Sequence, residues 1–197
     1  MSSGLLYHFS DRDDIEAFHP RPPLRHPDTE PLVFAIDAWH SPLYFFPRDC
    51  PRIGVWPVES TTIQDRQTFS ESTNCRMLLL IDQSHESSWR GGQIVRYAFT
   101  YEGFEDCHDH GVWVSRQPRD WRSRETLLDL PAACHEAGVE VRVVPSLASS
   151  AQDFYDPALE RMDTTLHVSM VRMSLLPKWT AKGGRPVAPR NAASNSA

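Results

Sequence analysis

Apolar positions along this chain fall in short runs, most of them spaced as strands are. Leu5 to Ser10 is an apolar and aromatic run closed by Asp11-Arg12-Asp13-Asp14, which predicts a strand and a turn. A period of two puts Leu6, His8 and Ser10 on one face of that strand. Leu32 to Asp37 is almost continuously apolar and predicts a strand buried on both faces. Further strands are predicted over Arg52–Trp56, Arg76–Asp82, Gln93–Tyr101, Val112–Arg116, Val139–Val144 and Thr164–Leu175. Among these, Val95, Tyr97, Phe99 and Tyr101 alternate with Ile94, Arg96, Ala98 and Thr100, the pattern of a half-buried strand.

Helical spacing is rarer. Leu127, Leu130, Cys134 and Ala137 recur as on a helix between Ser123 and Gly138, with Gly138 placed to end it and Pro131 interrupting the pattern. A second, broken helix is predicted over Ser146 to Met162, interrupted at Pro157. Prolines prevent regular structure from His19 to Pro31, and between Ala38 and Pro51 they limit any helix to one or two turns. The expected fold is therefore α+β: strand-rich mixed or antiparallel sheets with about two helices.

Length and charge refine this picture. A chain of 197 residues fits one domain, read here as 1–176, followed by a tail at 177–197 whose Gly, Pro, Ala, Ser and Asn content predicts disorder. The net charge is −6, yet after Asp163 only cations occur: Arg172, Lys178, Lys182, Arg185 and Arg190. An acidic body argues against extended nucleic-acid binding. No run is long enough to span a membrane, and the start lacks the order of a secretion signal, so a cytoplasmic location is expected. Four cysteines without a Cys-x-x-Cys pair read as free thiols.

Candidate chemistry lies in four places. His8, near the end of a strand beside Ser10, can face a cleft or pack as a core histidine, and His40 is a second candidate of this kind. Cys107-His108-Asp109-His110 contains metal-ligand types, but no partner motif completes a set; the cluster reads first as a polar turn, and no metal is expected. Phe46-Pro47-Arg48-Asp49-Cys50-Pro51-Arg52 flanks a thiol with two guanidinium groups, which suits a rigid turn, an anion site at Arg48 or Arg52, or an activated Cys50. Hydrolase, P-loop and dinucleotide-fold signatures are absent from the sequence.

Taken with Leu6-Tyr7-His8-Phe9-Ser10, Ala35-Ile36-Asp37, Gly111-Val112-Trp113-Val114-Ser115 and the stretch Gly138 to Leu147, the heptad around Cys50 resembles a family of small, mostly bacterial proteins known only as a domain of unknown function. The likeness runs from about Leu5 to Leu175. More distantly, the order of elements resembles the ADP-ribosyltransferase-like fold. That second resemblance implies an NAD- or nucleotide-binding transferase in which His8 holds a ribose and His40 or Tyr44 frames nicotinamide. Ser10, Arg21, Arg48 and Arg52 would then serve as cofactor-binding residues. The glutamate that such enzymes place before a later strand is missing, since Asp109, His110 and Gly111 precede Val112. Two alternatives stay open: a non-catalytic module binding a small ligand or partner, and a metal-dependent enzyme using Cys107, His108 and His110. The nucleotide reading requires His8 to share a concave pocket with His40 or Tyr44, beside Arg21, Arg48 or Arg52.

Overall fold

In the computed structural model, which describes residues 4–22, 28–152, 155–156, 161–162 and 164–175, two sheets face each other across a layer of aromatic and aliphatic side chains. The first sheet is antiparallel throughout, with order β6-β7-β2-β1-β5-β8. Its strands are β1 (Leu6–Ser10), β2 (Val33–Asp37), β5 (Ile94–Phe99), β6 (Glu105–Asp109), β7 (Val112–Ser115) and β8 (Ser123–Leu127). The second sheet, order β12-β3-β4-β9, comprises β3 (Arg52–Trp56), β4 (Met77–Asp82), β9 (Val139–Val144) and β12 (His167–Val171). It is mixed, because β4 and β9 run parallel. The architecture is α+β.

Four α-helices are present among the described residues, where about two were expected: α1 (Ile63–Ser72), α2 (Glu86–Arg90), α3 (Leu130–Glu136) and α4 (Leu147–Gln152). Thr62 caps α1 by accepting the Asp65 N–H, yet the helix buries only Phe69 and so carries no periodic apolar face to read. The helix expected over Ser123–Gly138 is corrected to a strand followed by a shorter helix. Residues 123–127 extend the first sheet beside β5, and α3 begins where Asp129 caps the Ala132 N–H with Pro131 in the first turn. Pro131 thus starts the helix, a position where its missing N–H costs nothing. Likewise, the broken helix expected over Ser146–Met162 is α4 followed by two short paired strands, β10 (Tyr155–Asp156) and β11 (Arg161–Met162). The predicted tail, 177–197, lies outside the described residues.

Each sheet has two differently covered faces, and this decides where a site can form. In β1, Leu6 and His8 point with Val33, Ala35, Val95, Tyr97 and Phe99 to the outer face, where Phe18 and Phe104 cover them. Tyr7, Phe9, Ile36, Ile94 and Val112 point inward, toward the second sheet. Across the gap, Arg52, Gly54 and Trp56 of β3 share the inward face with Leu79 and Ile81 of β4 and with His167, Ser169 and Val171 of β12. Ile53 and Val55 point away, into a cluster with Phe69 of α1 and Leu147 of α4. A glycine is needed at position 54 because a Cβ there would stand 2.5 Å from the Leu43 side chain, which fills the inner layer.

Candidate functional site between the sheets

The inner layer is not filled along its whole length. Beside β3 and β12 it leaves a cavity of about 440 Å³, walled on one side by Ile36 and Val112 and on the other by Trp56, His167 and Ser169, with Tyr44 along it. That volume lies within the range of small-molecule sites. Tyr44 comes from the short 3-10 turn Ser41–Tyr44, which Pro42 starts, and its ring stacks on Phe9 at 5.9 Å between centroids. Burial pushes the Tyr44 phenol above its ordinary value, so its hydroxyl keeps its proton.

Three histidines gather at one end. His167 lies 4.3 Å from Trp56 and 3.4 Å from His110 between ring centroids, and His40 stands 5.5 Å from Trp56 and 6.4 Å from His110. Burial, reinforced by the two neighbouring imidazoles, lowers His167 to about 4. His110 is lowered too, again chiefly by burial. Both rings are neutral at pH 7. The Asp37 carboxylate accepts from both the backbone N–H and the ring Nδ1 of His40, at 2.8 and 2.9 Å. Burial pushes Asp37 up, but these bonds outweigh it and hold the carboxyl below its ordinary value. Among the described residues, no group of His, Cys, Asp and Glu side chains is arranged to hold a metal ion.

The β6–β7 turn shapes this end. His108 and His110 have φ of 53° and 42° and Gly111 has φ of 83°, so three turn residues occupy left-handed backbone within a span of four. A Cβ at Gly111 would stand 2.2 Å from His40 Nδ1 and 2.7 Å from Asp37 Oδ2. The Asp37–His40 pair therefore exists only because residue 111 has no side chain. His108 points to solvent beside Asp106, and Cys107 is half-buried in the edge strand, so the cluster expected as one polar unit is divided: only His110 and Asp109 line the cavity.

Behind Leu43, Tyr44 and Val171, which line the opposite end, Arg52 is 3% exposed and is not itself a lining residue; its guanidinium carbon is 5.4 Å from the Tyr44 ring centre and 5.1 Å from that of Phe46. Its Nε donates to the Leu43 carbonyl and its Nη1 to the Cys50 carbonyl, the latter at 2.9 Å. Burial pulls it down to about 10, still well above neutrality, so it remains a cation. Arg172, exposed and at φ of 60°, closes the cavity on the solvent side. Cys50 is buried and its thiol is pushed up to about 11 by burial, which excludes a resting thiolate at neutral pH.

The expected pocket of His8 with His40 or Tyr44 does not form. His8 stands on the outer face, its ring 4.7 Å from Phe18, and its Nδ1 donates to the Phe34 carbonyl at 2.8 Å. Burial lowers it. Ser10 accepts the Arg12 N–H on that same face, and Arg21 is exposed, its backbone bridged to Leu32. Tyr44 and Arg52 come together on the inner face, with His40 at the histidine end, while Arg48 is exposed. Strand alternation thus puts a full sheet between the two halves of the expected site.

A family model matches residues 7–175. The chain belongs to the family of unknown function DUF6886. No curated protein and no solved structure matches it. DUF6886 brings no activity with it, so the chemistry of this member rests on its own side chains. Trp56, His167 and Arg172 were not read from sequence as site residues. For His167 the signal lay in β12, where His167 and Ser169 alternate with Val168 and Met170, a polar stripe on a strand that has no need of one. Among the described residues, no helix is long and apolar enough to cross a membrane.

Proposed function

We propose that this DUF6886 domain binds a small flat-ringed molecule in the cavity between its sheets. The observation that supports this reading is the pairing of aromatic walls, Tyr44 and Trp56, with uncharged polar side chains, His110, His167 and Ser169, along one open space. Aromatic faces offer stacking and apolar contact, and a few fixed polar groups orient a ligand. Transfer chemistry centred on His8 loses its support, because that histidine is on the far side of the first sheet. NAD itself is retained only as a source of flat rings to test.

Calorimetric titration with nicotinamide, nicotinate, phenyl phosphate and NAD tests the reading. Saturable one-to-one binding of at least one is expected in the wild type and in His8→Ala, and loss of it in Ser169→Phe, which fills the cavity with a ring. Binding that survives Ser169→Phe, or no binding of any probe, would refute it.

A further inference from the structure

Donors outnumber acceptors in and around the cavity, and the imbalance has a definite location. A guanidinium carries five N–H donors. In Arg52 the Nε and Nη1 bonds go to two backbone carbonyls, and Nη2 has no protein acceptor among the described residues. The groups whose charge reaches Arg52 are Tyr44, Cys50, Arg172 and Cys134, none of them a carboxylate. An arginine buried without an acid gives up hydration that no opposite charge replaces. Leu43 and Cys50 would be as well served by neutral donors, so these two bonds do not account for a permanent positive charge here.

The remaining groups point the same way. Tyr44 lines the cavity, and its hydroxyl, which keeps its proton, donates to no protein acceptor among the described residues. Arg172, whose neighbour Val171 is paired with Arg52 across the strands, adds a second guanidinium at the mouth and forms no ion pair among the described residues. Among the described residues the one carboxylate lining the cavity is Asp109, which is exposed and next to His110; its charge reaches Tyr44, but less strongly than that of Arg52. Neutral imidazoles at the histidine end bring no charge. Positive charge and spare N–H and O–H donors therefore collect at the Arg52 end, while stacking surface collects at the Trp56 end.

We infer that the ligand is an anion, a flat ring bearing a carboxylate or phosphate, with its oxyanion held by Arg172 and Tyr44 and attracted by the buried charge of Arg52 beside them. This rests on the reading of the cavity as a small-ligand site and names the ligand's class. Guanidinium groups bind both oxyanions through paired, charge-assisted hydrogen bonds, which makes carboxylate and phosphate the shared chemistry. An oxyanion beside Tyr44 and Arg172 offsets a positive charge that no protein carboxylate near Arg52 balances.

Nicotinate and nicotinamide share a ring and differ in the charge of one substituent, so their affinity ratio isolates the anion's contribution. In the wild type nicotinate or phenyl phosphate is expected to bind at least about tenfold more tightly than nicotinamide, the scale of one charge-assisted hydrogen bond. The tighter of the two anions names the group. Arg172→Gln, at an exposed position that should not disturb folding, is expected to reduce the ratio several-fold, and Arg52→Met to bring it near one. Equal affinities for anion and amide, or a ratio unchanged in Arg172→Gln, would overturn the inference while leaving a neutral-ligand site standing. Failure of every probe to bind would overturn both.

Discussion

His167 holds its neutral form because protonation would place a charge against Trp56, His110 and His40 in a partly dry layer. The sign of the resulting pH effect follows from linkage. Its folded value, about 4, is below the unfolded value near 6.5, so the unfolded chain takes up the proton first as pH falls. Above pH 6.5 the residue contributes no pH dependence, and between 6.5 and 4 stability declines. His8 and His110, also lowered by burial, act in the same direction. Urea unfolding at pH 7 and pH 5 should show the wild type losing stability, with His167→Gln losing about 1 kcal/mol less over the same interval, since solvent screens part of the charge on this partly exposed ring. An identical pH dependence in the two proteins would show that His167 titrates normally.

At the scale of elements, the β6–β7 turn holds the histidine end in shape, and Gly111 is its tightest point. Gly111→Ala must both accept a left-handed φ and displace the Asp37–His40 pair, whereas Gly138→Ala meets only the φ penalty, since its nearest neighbour is Arg76 Nε at 4.0 Å. The second change should cost about 1 kcal/mol and the first about 2–4 kcal/mol in chemical denaturation. Equal costs would mean that the turn yields without touching the pair. The same elements show what was legible beforehand. β1, β2, β3, β4, β5, β7 and β9 announced themselves through apolar runs or alternation, because each is pressed between layers. The edge strand β6, Glu-Asp-Cys-His-Asp, and the helix α1 did not, since one is solvated and the other buries a single phenylalanine. Residues 123–127 misled because Leu127 and Leu130 have helical spacing by coincidence, one ending a strand and the other starting α3.

For the whole molecule, the decisive relation was the one that sequence could not supply: which face of each sheet meets the other. Alternation correctly put His8 and Ser10 on one face, but nothing local says that this face turns outward under Phe18 while Tyr7 and Phe9 turn inward. The cavity is built by long-range pairing of β3 with β12 more than a hundred positions later, so His167 and Trp56 become neighbours only in the folded chain. Tyr44 and Arg52, by contrast, were already close in sequence, and the structure keeps them together. The central claim is that the space between the sheets receives a flat anionic ligand, and tryptophan indole signals in a proton–nitrogen correlation spectrum locate binding directly. On titration with whichever of nicotinate and phenyl phosphate binds more tightly, the Trp56 indole signal should move in a saturable way. The Trp121 indole, which donates to the Ile15 carbonyl on the outer face, should stay in place. A shift at Trp121 with none at Trp56, or no shift at either, would contradict the account.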